Sequence, residues 1–428
     1  MDRITRLRIK NVRAIESAEV ELGHPLTALI GENGAGKSTV LECLELLRKA
    51  AEPTFMGQLH AVHRGMPGLL RVGAPGMELG IDISDDEGNE PPLRYSIGLV
   101  PQGAGTVVHS ERLAVGPVGT AARPLMALQR SLVRAEMFDQ SRGKLVDVPA
   151  QVARPDQLVI GSFGSLPPQR AIERLLAVLR AIEVHLPWDT MPMWAVRTYQ
   201  FSQTARTSTF LQPADRLSLL GFNLPNAWNE LKNRDSESWD HTMGLVRLGI
   251  GDWVDNVVLL TDAGGGNVSL AVTVRNPSGG DIPWNGTRSG TIAAANLSDG
   301  QLAWLGFVAL TQLNPSRSLL ALDEPESHLH PSLLGRLFSL LANLPGGAPV
   351  IVSTHSDRVL ELLGDPADAL RVCCLETGRA TISRMDREEL ARWLDEFGDV
   401  GQIRASGYLH RVVAPPAEPE TESGEGES

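Results

Sequence analysis

The chain has 428 residues, 42 % of them hydrophobic and 21 % charged, with a formal net charge of −12. Those values fit a globular protein larger than one ordinary domain, and they exclude a uniformly basic nucleic-acid binder while leaving room for a local basic face. Apolar runs stay below eighteen residues and Met1–Arg6 lacks a signal-peptide core, so the expectation is a cytoplasmic protein with no membrane contact.

The first elements read as strands. Ile4 to Lys10 alternates basic residues with Leu7 and Ile9, and Ala18 to Leu22 alternates again after Asn11–Ile15. Gly23-His24-Pro25 then turns the chain into the apolar run Leu26–Ile30, which leads into Gly31-Glu32-Asn33-Gly34-Ala35-Gly36-Lys37-Ser38-Thr39. An apolar helical segment with Val40, Leu44 and Leu47 on one face follows. Strand, glycine loop and helix in that order are the context of a phosphate-binding P-loop. Gly31, Gly34 and Gly36 let successive backbone N–H groups point at one anion, and the helix start adds its positive dipole end. Lys37 is expected at the β- and γ-phosphates of ATP, and the Ser38 hydroxyl on Mg²⁺.

Met77 to Ile83, Leu93 to Val100 and Val107 to Val115 read as further strands, an antiparallel layer beside the nucleotide sheet. From about Pro124 the pattern turns helical. Leu125–Leu128 and Arg170–Leu186 carry it, the latter with a stripe of Ile172, Leu175, Leu176, Leu179 and Ile182. Trp188, Trp194, Trp228 and Trp239 punctuate the region up to Asp252. If this is an inserted lobe, changes at Trp188 or Trp239 are expected to affect stability or partner binding before chemistry. No internal repeat or heptad run is visible, which excludes a long coiled-coil arm. Val257–Leu260 and Val268–Arg275 return to strand patterning.

Four pieces in the last third suit a nucleotide site. Leu297-Ser298-Asp299-Gly300-Gln301 opens an apolar helix with Ser298 as its N-cap. Leu319–Leu322 is a buried strand ending in Asp323 and Glu324, one carboxylate placed for the Mg²⁺ shell and one to polarise a water. Val350–Thr354 ends in His355, a candidate γ-phosphate contact. Singly, each of these has a plain alternative in a helix cap or a loop histidine; in this order behind a P-loop the catalytic reading is preferred. Cys43, Cys373 and Cys374 read as small core residues in a reducing compartment. His328-x-His330 has a spacing that also suits a metal, and the competing reading is a loop with Pro331 at a helix start.

These motifs resemble the ABC-type ATPase head, and more narrowly the SMC/RecF/OLD-like "AAA family ATPase" group of bacterial proteins. The resemblance rests on Ile4–Ile15 with Gly-Glu-Asn-Gly-Ala-Gly-Lys-Ser-Thr, on Asn296–Trp304, and on Asp323-Glu324-Pro325-Glu326-Ser327-His328-Leu329-His330-Pro331. It implies an α/β fold with a mixed central sheet, an antiparallel β layer and a mainly helical insertion. Residues 1–120 and 255–412 would form the two halves of the head, 121–254 the insertion, and 413–428 a disordered acidic tail. It also implies a head-to-tail homodimer, or a higher oligomer, around two ATP molecules. By position, Ser298, Gly300 and Gln301 would act on the opposite subunit's ATP, Asp323 on Mg²⁺, Glu324 as the base, His355 as the switch and Arg13 on nucleotide. The glutamine that follows the first lobe in ABC heads matches Gln102, Gln129 or Gln169 without preference.

The expected function is ATP hydrolysis that opens and closes a dimer for DNA-linked work such as repair or antiphage defence. No stretch after Arg411 resembles a nuclease domain, so a nuclease or toxin effector would be a separate polypeptide. The alternatives are the ATP-binding subunit of an ABC transporter and a nucleotide-regulated scaffold. Length and the Trp-containing insertion weigh against the first, and Glu324 weighs against the second.

Overall fold

Five parallel strands carry the candidate site in the computed structural model. It describes all residues except 23–24, 104, 117–123, 133, 166–168, 192–202, 263, 276–289, 314, 408–411 and 414–428. Trp194 and all of the expected acidic tail but Val413 lie outside the described residues.

The strands are β1 (Asp2–Val12), β2 (Ile15–Glu21), β3 (Leu26–Gly31), β4 (Met77–Asp85), β5 (Leu93–Gln102), β6 (Gly105–Val115), β7 (Leu125–Ser131), β8 (Arg134–Asp139) and β9 (Lys144–Asp147). They continue as β10 (Ile182–His185), β11 (Thr209–Phe210), β12 (Val254–Thr261), β13 (Asn267–Val274), β14 (Thr291–Ala293), β15 (Leu319–Asp323), β16 (Val350–Thr354), β17 (Leu370–Glu376) and β18 (Arg379–Arg384). The helices are α1 (Lys37–Ala50), α2 (Phe55–His63), α3 (Arg170–Arg180), α4 (Leu224–Lys232), α5 (Ser236–Ile250) and α6 (Asp299–Leu313). After them come α7 (Pro331–Ala342), α8 (Asp357–Leu360), α9 (Pro366–Ala369), α10 (Arg387–Phe397) and α11 (Val400–Ala405).

Fourteen strands form one mixed sheet in the order β10-β15-β16-β3-β17-β18-β2-β1-β4-β5-β6-β7-β8-β9. The segment β10-β15-β16-β3-β17 is parallel, and its register sets His185 beside Leu322, Asp323 beside Ser353, Thr354 beside Ile30 and Gly31 beside Cys373. All six residues of β3 are buried, as a parallel strand covered on both faces requires. Its side chains alternate between two cores. Leu29 joins Leu319, Ala321 and Ile351 under α1 and α3, while Ala28 and Ile30 join Leu320, Leu322 and Val352 under α6 and α7. The antiparallel strands β4 to β9 extend the same sheet through the β1–β4 pairing, and β11 to β14 form a separate small sheet.

Two local expectations are corrected. Leu125–Leu128 is not helical but part of β7, paired antiparallel to β6 and β8. A four-residue apolar run fits either state, and the pairing partners on both sides decide for the strand. The helix expected over Arg170–Leu186 ends at Arg180, and Ile182 opens β10, whose four residues are all buried against β15. Stretch 121–254, expected to be mainly helical, thus also supplies β7, β8 and β9 at one end of the sheet and β10 at the other.

The β3–β17 pairing leaves no room at Gly31, where a Cβ would lie 2.0 Å from the Cys373 carbonyl oxygen. Gly31→Ala should therefore cost about 1–3 kcal/mol or more, as overpacking against rigid backbone does. An unchanged urea midpoint for that variant would show that β17 does not approach so closely.

Candidate nucleotide-binding site

The glycine loop leaves the carboxyl end of β3 at the position where open α/β sheets take their ligands. Gly34 and Gly36 have φ of 80° and 96°, left-handed values that glycine adopts without strain in a phosphate-binding turn. Gly36 is the N-cap of α1, so the first N–H groups of that helix face the same space. Glu32, Asn33, Gly34 and Ser38 are exposed along the loop, while Ala35, Lys37 and Thr39 are buried. The Lys37 ammonium donates to the Gly31 and Glu32 carbonyl oxygens at 2.9 and 3.0 Å, folded back over the loop. Burial lowers its pKa below the ordinary lysine value.

Strands β15 and β16 bring the acidic half of the site to this loop. The Ser38 hydroxyl lies 3.3 Å from both carboxylate oxygens of Asp323, across 285 residues of chain. Asp323 also accepts from the Ser353 hydroxyl. A hydroxyl and a carboxylate so placed are two hard oxygen ligands, the donor set Mg²⁺ prefers. Glu324 has φ of 42°, a conformation costing on the order of 1–3 kcal/mol in a non-glycine residue. The Glu324 N–H donates to the Ser353 carbonyl at 3.0 Å and so holds the residue there. Its carboxylate lies 3.5 Å from His355 Nε2. Glu326 accepts from the Thr354 hydroxyl at 2.6 Å and the His355 N–H at 3.0 Å, and Arg404 donates to the His355 carbonyl at 2.8 Å.

Ser298 and Gln301 form a reciprocal cap at the start of α6. The Gln301 N–H donates to the Ser298 hydroxyl at 3.2 Å, and the Ser298 N–H to the Gln301 side-chain oxygen at 3.0 Å. Ser298 is exposed, and no hydrogen bond among the described residues ties it to the glycine loop. A Cβ on Gly300 would come within 2.8 Å of the His328 carbonyl, so this helix start packs closely on the loop after Glu324. Arg13 makes a two-pronged pair with Glu42 of α1, both contacts at 2.9 Å. Gln102 ends β5, Gln129 donates to Glu136 across β7 and β8, and Gln169 donates to the Phe138 carbonyl. His330 caps α7, its Nδ1 accepting from the Ser332 N–H, which is a loop role.

Sequence comparison adds family to this geometry. A model described as "AAA domain" matches residues 6–47, and one described as "AAA domain, putative AbiEii toxin, Type IV TA system" matches 284–361. The two matches hold the glycine loop and the Ser298–His355 pieces that the fold brings together. The chain is 31 % identical over 96 residues to the DNA replication and repair protein RecF of Stenotrophomonas maltophilia, covering 22 % of this chain and 24 % of that protein. It is 48 % identical over 44 residues to the OLD nuclease of Thermus scotoductus, covering 10 % and 8 %. The matched stretches thus span no more than about a quarter of these relatives. A crystal structure of the SmcHead bound to the C-winged helix domain of ScpA superposes with a TM-score of 0.51 at 11 % identity, covering 91 % of this chain and 99 % of that one. The chain thus carries two AAA-domain stretches on a fold like that of an SMC head.

Several residues of this head carry no sequence signal of their task. Glu326 and Ser353 stand inside stretches that the motifs single out, yet no motif assigns their oxygens a role. Arg206 gives no signal at all. It is 5 % exposed and donates to the carbonyls of Thr190 (2.7 Å), Ala294 (2.9 Å) and Leu297 (2.5 Å) and to the Asp299 carboxylate. A single arginine thus ties the chain after β10 to the backbone that presents Ser298. Trp188, expected in a lobe remote from the chemistry, instead lines a recess shared with Asp323 and Glu324. Trp239 packs edge-on against Trp228, with ring centroids 6.0 Å apart.

Proposed function

We propose that this head binds ATP with Mg²⁺ and hydrolyses it, and that the nucleotide draws two copies into a head-to-tail dimer. The observation that carries the reading is the approach of Ser38 to Asp323 with Glu324 and His355 alongside. In the proposal, the glycine loop and Lys37 would hold the phosphates, Ser38 and Asp323 would hold Mg²⁺, and the metal would supply neutralisation of phosphate charge. Glu324 accepts the proton of the attacking water, and His355 contacts the γ-phosphate beside it. Ser298, Gly300 and Gln301 present an exposed helix start, which suits a γ-phosphate held by the partner copy better than one in the same subunit. Arg13, two-pronged on the helix that begins at Lys37, supports the loop and reaches nucleotide only if Glu42 releases it.

The work coupled to this cycle is proposed to be DNA-linked, either repair or antiphage defence, with any nuclease or toxin on a separate polypeptide. Support comes from the names of the matched relatives, a replication and repair protein and a nuclease. The test is ATP turnover with and without duplex or single-stranded DNA. Stimulation by DNA supports the proposal, whereas unstimulated turnover together with co-fractionation of the protein with membranes would support a transporter subunit instead.

Arg206 gives this reading a second handle. Arg206→Leu removes the donor shared by four carbonyls and Asp299, so the Ser298 segment loses its anchor while the glycine loop is untouched. Affinity for ATP should stay within about twofold, and turnover should fall roughly tenfold or more, the equivalent of one lost charged hydrogen bond. Equal turnover in the variant and the wild type would remove Arg206 from the site.

A further inference from the structure

Where the chain leaves β16, the backbone at His355 has run past the strands beside it. The pairing with β15 ends at Ser353 and that with β3 at Thr354, so the His355 N–H and carbonyl must find partners outside the sheet. Two side chains supply them. The Glu326 carboxylate accepts from the N–H at 3.0 Å, and Arg404 of α11 donates to the carbonyl at 2.8 Å. The same Arg404 nitrogen, Nη1, donates to the Asp357 carboxylate, also at 2.8 Å. Asp357 is the first residue of α8, so one guanidinium spans the whole turn between β16 and that helix. Inside the turn the Ser356 N–H donates to the Thr354 hydroxyl at 3.0 Å, and that hydroxyl donates to Glu326.

Arg404 is itself anchored. Its neighbour Ile403 is buried, as is Val400, and both join the core that holds Val359 and Leu360 of α8. The two helices approach so closely that a Cβ on Gly401 would lie 3.3 Å from the Asp357 Cβ. Asp399 caps the start of α11 by accepting from the Gln402 N–H at 2.8 Å. At the other end of the arrangement the His355 ring lies 3.5 Å from the Glu324 carboxylate. The peptide that Arg404 grips is therefore the one that carries the ring facing the site. The Arg404 charge is also felt at Lys37, where burial lowers the pKa first and the guanidinium lowers it further.

We propose that Arg404 is a positioning residue for ATP hydrolysis, which holds the His355 peptide by its carbonyl so that the ring stays against Glu324. This rests on the reading of His355 as the γ-phosphate contact. A peptide just past the end of a strand is free to rotate unless both of its polar groups are bound. Here a carboxylate binds one and a guanidinium the other, and hydrogen bonds with a charged partner are roughly twice as strong as neutral ones. The helices after β18 hold none of the nucleotide motifs. Through Arg404 they take part in turnover without touching the nucleotide.

The deciding variants are Arg404→Ala, His355→Ala and the two combined, each assayed well below its unfolding temperature. Arg404→Ala should lower kcat for ATP roughly tenfold, the size of effect one hydrogen bond to a charged group carries, with KM unchanged because the glycine loop keeps its contacts. The double variant should be no slower than His355→Ala alone, since a residue that acts through the histidine has nothing left to position. If His355→Ala is as active as wild type, the reading of His355 fails and takes this inference with it. If His355→Ala is slow while Arg404→Ala keeps full kcat, the His355 reading stands and the inference is overturned. It is overturned equally if loss of Arg404 slows His355→Ala by the same factor as it slows the wild type, or if KM rises with kcat unchanged. Should Arg404→Ala fail to fold, Arg404→Gln takes its place under the same criteria, because it keeps part of the stem but is uncharged and too short to span both acceptors.

Discussion

Lys37→Ala should abolish measurable ATP binding while leaving the unliganded fold as stable as before. The side chain donates only to the Gly31 and Glu32 carbonyls in the unliganded loop, and it fills no part of either core. In the proposed complex the ammonium swings to the phosphates, where losing one charge-assisted donor to two anionic oxygens weakens binding by roughly a hundredfold or more. Calorimetry on the variant checks this, and near-normal affinity would sink the P-loop assignment. A pH dependence follows from the same burial. The free ammonium has a pKa below the ordinary 10.5, and bound phosphate would raise it again. Affinity is therefore fully present at neutral pH and lost as pH rises through the lowered value of the free protein, before an ordinary lysine would titrate.

Glu324→Gln and Ser298→Arg should have opposite effects on assembly. Glutamine keeps the shape at position 324 and leaves Ser38 and Asp323 in place, but it removes the base. That variant should accumulate as an ATP-bound dimer with turnover lowered at least about a hundredfold. Arginine at the exposed cap of α6 puts a bulky side chain where the partner's γ-phosphate would approach the helix start. Each monomer should still bind ATP, and neither dimer nor turnover should appear. Mixing Lys37→Ala with Ser298→Arg chains separates sharing across the interface from action within one subunit. A shared arrangement leaves one site with both an intact glycine loop and an intact cap, and hydrolysis partly returns. If wild type and Glu324→Gln both stay monomeric at saturating ATP with Mg²⁺, and turnover per chain does not depend on concentration, the head-to-tail dimer is wrong.

Residues whose task is set by their neighbours along the chain are legible in the sequence alone. Gly34 and Gly36 need left-handed backbone for the loop, Ser298 and Gln301 cap one another three residues apart, and Asp323 and Glu324 end an apolar run downstream of a P-loop. What stays hidden depends on partners far away in the chain. Leu125–Leu128 is a strand because β6 and β8 flank it, and Ile182–His185 because β15 lies beside it. Four residues carry too little period to say so. Arg206 is invisible to sequence reasoning, since all of its partners but Asp299 are backbone carbonyls, which leave no mark in sequence. The recess at Trp188 depends on three separate stretches meeting, and only the Asp323–Glu324 end of it has a motif to announce it.

The place of β3 in the sheet also sets the order in which the protein can be made. Its two hydrogen-bonding neighbours are β16 and β17, more than three hundred residues downstream. At about 5–20 residues per second a ribosome needs on the order of 15–60 s to travel from Gly31 to Thr354. Through that interval β1, β2 and β4 can pair as local hairpins, but β3 has an apolar strand on each side still to be synthesised. The nascent chain must carry Leu26–Ile30 and the apolar face of α1 uncovered until then. The glycine loop is therefore translated long before its strand neighbours and takes its working shape only after them, and the chaperone demand of this protein should fall on residues 26–50.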